Sequence, residues 1–237
     1  MIPKKQELEL FVEDLTKAHG ENLVSIILYG SAATRDFQTH FSDYNLLVVL
    51  REITPKDLMD AHVAAREWRK IGHQIPAYFT ASEIKEAADV FPIEYYQMKK
   101  AHVVLFGEDI LKEVSISDQN LRHQIEYELR GKLLRLRKLY IPSCTSSERL
   151  TELMVRSLSN FIALFHATLL LHKIDLPQTK LVVINAMAHN FKIDPQPFMK
   201  ILEIRDKGTA INEKEANELF TKYIAEIEKV IELVDKN

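Results

Sequence analysis

The stretch LYGSAATRDFQTHFSDYNLLVVL, Leu28–Leu50, decides the fold. It opens on the last residues of an apolar run, Val24–Tyr29, and closes on a second, Leu46–Leu50, the strongest strand signal in the chain. Short apolar runs of this kind, bounded by turn residues, read as buried strands. The first run stops at Gly30-Ser31, which reads as a strand-to-helix turn. Glycine there lets backbone approach a ligand closely. A helix N-terminus offers free N–H groups to a phosphate, and the Ser31 hydroxyl adds another donor. At the mouth of the second strand, Asp43 and Asn45 are two apart and therefore share a face. That is the geometry for two side chains gripping a metal cluster beside phosphates.

Outward from this segment, the first third of the chain alternates helix and strand. Residues 5–19 read as a helix, and residues 55–70 as another, opened by Thr54 as cap and Pro55 at its first position. Gln74–Phe79 reads as a third strand. Residues 82–88 and 92–99 read as short helices, and Val103–Phe106 as a strand closed by Gly107. After about residue 117 strand patterns stop. Asp118–Leu139 carries an apolar helical stripe. Thr145 and Glu148 have capping-box spacing, which predicts a long helix from there to about Lys173. Asp175-Leu-Pro and Asp194-Pro predict two further helix starts, and Asn212 with Glu215 a capping box before the last helix. The expectation is an α+β protein: a mixed-sheet head over 1–117 and an all-helical bundle over 118–237.

Composition bounds the function. The 237 residues include 31 basic and 34 acidic side chains for a net charge of -3, which gives no reason to expect nucleic acid or an anionic membrane as partner. The longest apolar stretch, Phe161–Leu171, contains His166 and Thr168 and falls short of the about 20 residues a spanning helix needs, so it reads as a buried helix. No secretory signal opens the chain. The single cysteine, Cys144, cannot form an internal disulfide, and a cytoplasmic location is the default expectation.

With these residues in view, the chain resembles the nucleotidyltransferase superfamily that includes the aminoglycoside nucleotidyltransferases and DNA polymerase beta. The signature of that superfamily is Gly-Ser, roughly ten residues, then Asp-x-Asp opening a strand, with a third carboxylate on a later strand. Gly30, Ser31 and Asp43 match it, with eleven residues between Ser31 and Asp43. The block Asp89–Tyr96 and the run Val103–Asp109 also look like the end of such a head in bacterial members, and the helical second half matches in architecture. The resemblance implies a nucleoside triphosphate held at Gly30 and Ser31 with Arg35 in reach of its phosphates, and Mg²⁺ held by Asp43. Two departures stand against it. Asn45 occupies the place of the second Asp, and Gln74–Phe79 contains no acid.

In the superfamily the acids hold two Mg²⁺ ions that neutralise the triphosphate and activate the attacking hydroxyl. Mg²⁺ wants charged, hard oxygen ligands, and one carboxylate supplies too little charge. His40, His73 and Gln74 are poor substitutes, since imidazole and amide suit Mg²⁺ badly. Asp89 and Glu94 are the acids that could reach in from the following helix; their structural alternatives are a helix cap at Asp89 and a surface pair at Glu94. Arg35 and Asp43 each have a plain alternative too, a solvated arginine and a loop-capping carboxylate.

The helix Asp118–Leu139 carries six basic residues against three acidic ones, a rim for a polyanion or simply a solvated face with pairs such as Glu126–Arg130. Cys144, His166 and His172 lack the neighbours that catalysis or metal binding would need.

The expected function is a nucleotide-binding or regulatory pseudoenzyme on a nucleotidyltransferase frame. The alternatives are an active Mg²⁺-dependent transferase acting on a small hydroxyl compound or a protein side chain, and a scaffold whose working part is the bundle. A nucleotide or small molecule is the expected partner, and the long apolar helices could pack within one chain or across a homodimer.

Overall fold

The computed structural model describes residues 4–33, 44–176 and 179–236. The chain divides into two compact units, Met1–Ser117 and Asp118–Asn237.

The first unit is a four-stranded mixed sheet of order β3-β2-β1-β4, with β1 at Leu23–Tyr29, β2 at Asn45–Leu50, β3 at Ala77–Thr80 and β4 at His102–Gly107. β1 pairs antiparallel with β2 and β4, and β2 pairs parallel with β3. The near-continuous apolar runs of β1 and β2 are explained by burial on both faces. One face, carrying Ile26, Leu28, Leu46, Val48 and Leu50, packs on Leu8, Phe11 and Leu15 of α1 (Lys4–His19) and on Ala64 and Trp68 of α3 (His62–Lys70). Phe11 stacks on Trp68 at 4.3 Å between ring centres. The other face, with Ile27, Leu47 and Val49, packs on Ile84 of α4 (Ala81–Glu86) and on Tyr95 and Met98 of α5 (Pro92–Lys100).

β4 ends against the start of β1 in a join made of main chain. Gly107 has φ +74°, and a side-chain carbon placed there would lie 1.9 Å from the Val24 carbonyl oxygen. The fully buried Ser25 hydroxyl completes the join by donating to the carbonyls of Phe106 and Glu108, at 3.1 and 2.6 Å.

Two tyrosines make the head sensitive to alkali. Burial pushes the Tyr78 hydroxyl up to about 12, and burial together with the charges of Glu83 and Glu94 does the same to Tyr95. The fold therefore favours the neutral phenol. Between about pH 10 and 12 the unfolded chain holds fewer protons than the folded one, so this stability is complete below about pH 10 and is lost as pH rises through about 12. Denaturant titrations across that range are expected to show the decline in the wild type and a shallower one in Tyr78→Phe/Tyr95→Phe. The Tyr95 hydroxyl has no hydrogen-bond partner among the described residues, so its removal is tolerated.

The second unit is helical: α6 (Asp118–Tyr140), α7 (Ser147–Leu171), α8 (Lys180–Phe191), α9 (Gln196–Lys207) and α10 (Glu213–Asp235). Among the described residues α7 is the one helix long and apolar enough to cross a membrane. Its apolar residues are instead covered by α6, α8, α9 and α10, the situation of a core helix. Phe165 meets Phe198 edge-on at 5.2 Å, and Phe198 meets Tyr223 at 5.6 Å. Glu226, buried on α10, accepts from the Asp194 N–H at 2.9 Å and from Lys229 at 2.6 Å, which ties α10 to the turn that opens α9.

Several element ends differ from the sequence expectation. The helix expected over 55–70 is two helices, α2 (Pro55–Asp60) and α3, separated at Ala61. The Thr54 cap forms as expected, in a capping box with Asp57. The third strand starts at Ala77 rather than Gln74, because the Gln74 carbonyl accepts from the Trp68 ring N–H at 3.0 Å and Pro76 has no N–H for a ladder. Ser146, one residue after Thr145, caps α7 by accepting from the Arg149 N–H. Asp89 sits in a short turn, and α5 opens at Phe91 without a side-chain cap. Asp175 precedes the start of α8, whose N-cap is Thr179, while the expected box at Asn212 and Glu215 forms.

Candidate functional site

At the Gly30 end of the sheet one polar row crosses three strands. Asn45 opens β2 opposite Tyr29 of β1, and Tyr29 lies opposite His102 of β4. All three alternate onto the face covered by α5. Gly30 follows Tyr29 at φ +77° and begins a tight turn, Gly30–Ala33. A side-chain carbon at Gly30 would lie 3.2 Å from the Asn45 amide nitrogen, so the Asn45 side chain occupies the space that glycine leaves. The Gly30 N–H donates to the Ala101 carbonyl at 2.9 Å. It is therefore used inside the fold.

The sequence candidates distribute unevenly. Gly30 and Asn45 come together, and Ser31 follows in the turn. Asp43, Arg35 and His40 lie outside the described residues. Glu94, on the first turn of α5, is exposed, yet its charge acts on Tyr29: burial first, and Glu94 second, raise the Tyr29 hydroxyl above its usual range. Asp89 is likewise exposed. His73 is on the other side of the sheet, packed at 4.1 Å on Trp68 and 5.2 Å on Tyr44, with Glu7 at 3.7 Å. His166 is a core histidine, buried in the bundle with Nε2 at 3.1 Å from the Leu176 carbonyl, whereas His172 is half-buried at the end of α7 and packs on Phe191 at 4.6 Å.

The sequence reading passed over His102, which completes the polar row. Its Nε2 is 3.1 Å from Asp109, and its Nδ1 is 3.2 Å from the Lys99 carbonyl. With both ring nitrogens engaged, the pair fastens the end of α5 to the turn after β4 and offers no nitrogen to a substrate. Its signal in the sequence was only a His at a strand start and an Asp after Gly107.

Asn45 brings an amide oxygen without charge, β3 reads Ala77-Tyr-Phe-Thr80, and among the described residues no three His, Cys, Asp or Glu side chains gather closely enough to hold a metal ion.

No family model matches the chain, and no curated protein matches it by sequence. Among solved structures it is similar to spectinomycin adenyltransferase AAD(9) from Enterococcus faecialis, determined with ATP and spectinomycin. The two share 16% identity at a TM-score of 0.58, over 95% of this chain and 100% of the other. The fold is accordingly nucleotidyltransferase-like, an α+β head followed by a helical domain.

Proposed function

We propose that this protein is a nucleotide-binding or regulatory module on a nucleotidyltransferase frame, with a metal-carboxylate site too depleted to drive nucleotidyl transfer. The observation that carries the reading is Asn45, seated against Gly30 in the polar row where charge is needed, beside a β3 without acids. In metal-assisted phosphoryl transfer, protein carboxylates place the ions that neutralise charge on the reacting phosphates. A site short of those carboxylates keeps the shape for a nucleotide and loses the means to activate it. The similar adenyltransferase holds ATP, which supports a triphosphate as ligand at Gly30, Ser31 and Arg35, with Asp43 as the remaining carboxylate. The lone Cys144, in the turn after α6, is compatible with a reducing, cytoplasmic setting.

The test is incubation of the full chain with ATP, GTP, CTP and UTP in Mg²⁺ or Mn²⁺, following pyrophosphate release and, separately, nucleotide binding by calorimetry. The expected result is saturable binding of at least one triphosphate, little changed by chelator, with no pyrophosphate above the protein-free control. Robust turnover abolished by Asp43→Ala would establish an active transferase instead.

A further inference from the structure

We infer that the helical unit carries a second, separate ligand site, a groove between α6 and α7 that takes a small organic anion with an apolar body. The sequence shows α6 as a basic helix without saying whether its charges converge. In the structure three cations do. Lys132 and Arg135 of α6 and Arg156 of α7 rim a cavity of about 380 Å³, and among the described residues no acidic side chain lines it. That volume falls in the range of about 300–1,000 Å³ typical of small-molecule sites.

Two features separate this groove from a merely solvated basic face. First, two of the three cations pair with acids outside the cavity. Glu128 pairs with Lys132 at 2.9 Å and Glu152 with Arg156 at 2.5 Å, each one helical turn earlier, while neither acid lines the groove. Arg135 has no carboxylate partner among the described residues. Second, the walls between the cations are apolar. Leu139, 41% exposed, and Leu153 face the cavity over a floor of Leu136 and Phe161. α10 covers both helices elsewhere in the unit, and its residues do not line this groove. Cations around an apolar trough match a carboxylate, sulfonate or phosphate borne on a ring or short chain: the anion meets the guanidinium forks, and the body covers leucine.

The experiment uses the full chain and two fluorescent probes of similar size, anionic anilinonaphthalenesulfonate and neutral phenylnaphthylamine. The anionic dye is expected to bind saturably at one site and to weaken as salt is raised. Arg135→Glu/Arg156→Glu is expected to weaken it roughly tenfold or more, since two attractive charges become repulsive. Lys138→Glu, a charge reversal on the same helix but outside the groove, is expected to change it less than about twofold. All three substituted positions are exposed, and circular dichroism is the check on the fold of each variant. Equal binding of both dyes, absence of saturation, or equal loss in the groove and control variants would overturn the inference. So would a dye displaced by ATP yet indifferent to the groove substitutions, because that dye would be bound in the head.

Discussion

Alanine at Gly107 is expected to destabilise the head by about 3–5 kcal/mol, the largest effect of an alanine at any of the six glycines. The left-handed backbone at φ +74° costs an L-residue about 1–2 kcal/mol. The new carbon would also stand 1.9 Å from the Val24 carbonyl oxygen and 2.9 Å from its carbon. Both are main-chain atoms of β1, so no rotamer relieves the clash. The strands must part, and parting breaks the pairing of Ser25 with Gly107 along with the two Ser25 hydroxyl bonds. Each net hydrogen bond lost adds about 1 kcal/mol. Gly20→Ala is the control. It too has a positive φ, +50°, but an added carbon meets nothing within 4 Å, so only the backbone cost of about 1–2 kcal/mol is expected. Denaturant unfolding of the two variants measures the difference. Equal losses would mean that the β1–β4 join yields easily.

The second large effect concerns charge. Asn45→Asp is expected to tighten Mg²⁺ or Mn²⁺ binding about a hundredfold, read by calorimetry in the presence of nucleotide. One unit charge about 4 Å from a divalent ion, at an effective dielectric near 20, contributes on the order of 8 kcal/mol of attraction. Desolvation of the carboxylate offsets much of it. A third of the gross figure still corresponds to about two powers of ten in affinity. The substitution is nearly isosteric, and Asn45 already packs against Gly30, so the frame should accept it. Unchanged metal affinity would mean that position 45 is turned away from any ion, and the charge-depletion account of this site would fail with it.

The parts of this protein legible in its sequence are those set by local chemistry. The apolar runs of β1 and β2 mark strands covered on both faces. Thr54 with Asp57, and Asn212 with Glu215, announce helix starts because side chain and backbone bond reciprocally within one turn. Asn45 and the acid-free third strand were likewise visible as residue types. What stayed hidden depended on partners distant in the chain. The start of β3 is displaced by a bond from Trp68 to the Gln74 carbonyl. The break at Ala61 carries no proline or glycine to announce it. Between Thr145 and Ser146 a reading of spacing cannot choose which hydroxyl turns inward. The row Asn45–Tyr29–His102 exists only once β1 lies between β2 and β4, and no motif spans it.

The bond from the Gly30 N–H to the Ala101 carbonyl has a consequence for how such a protein can change over time. Peptide groups hold the bend, and beyond the glycine that its φ of +77° calls for no particular side chain is needed to make it. Side chains around it can therefore be exchanged, gaining or losing reactivity, while the contour persists. A lineage can exchange the chemistry and keep the mould, and a protein engineer can edit what projects into it while the mould stands.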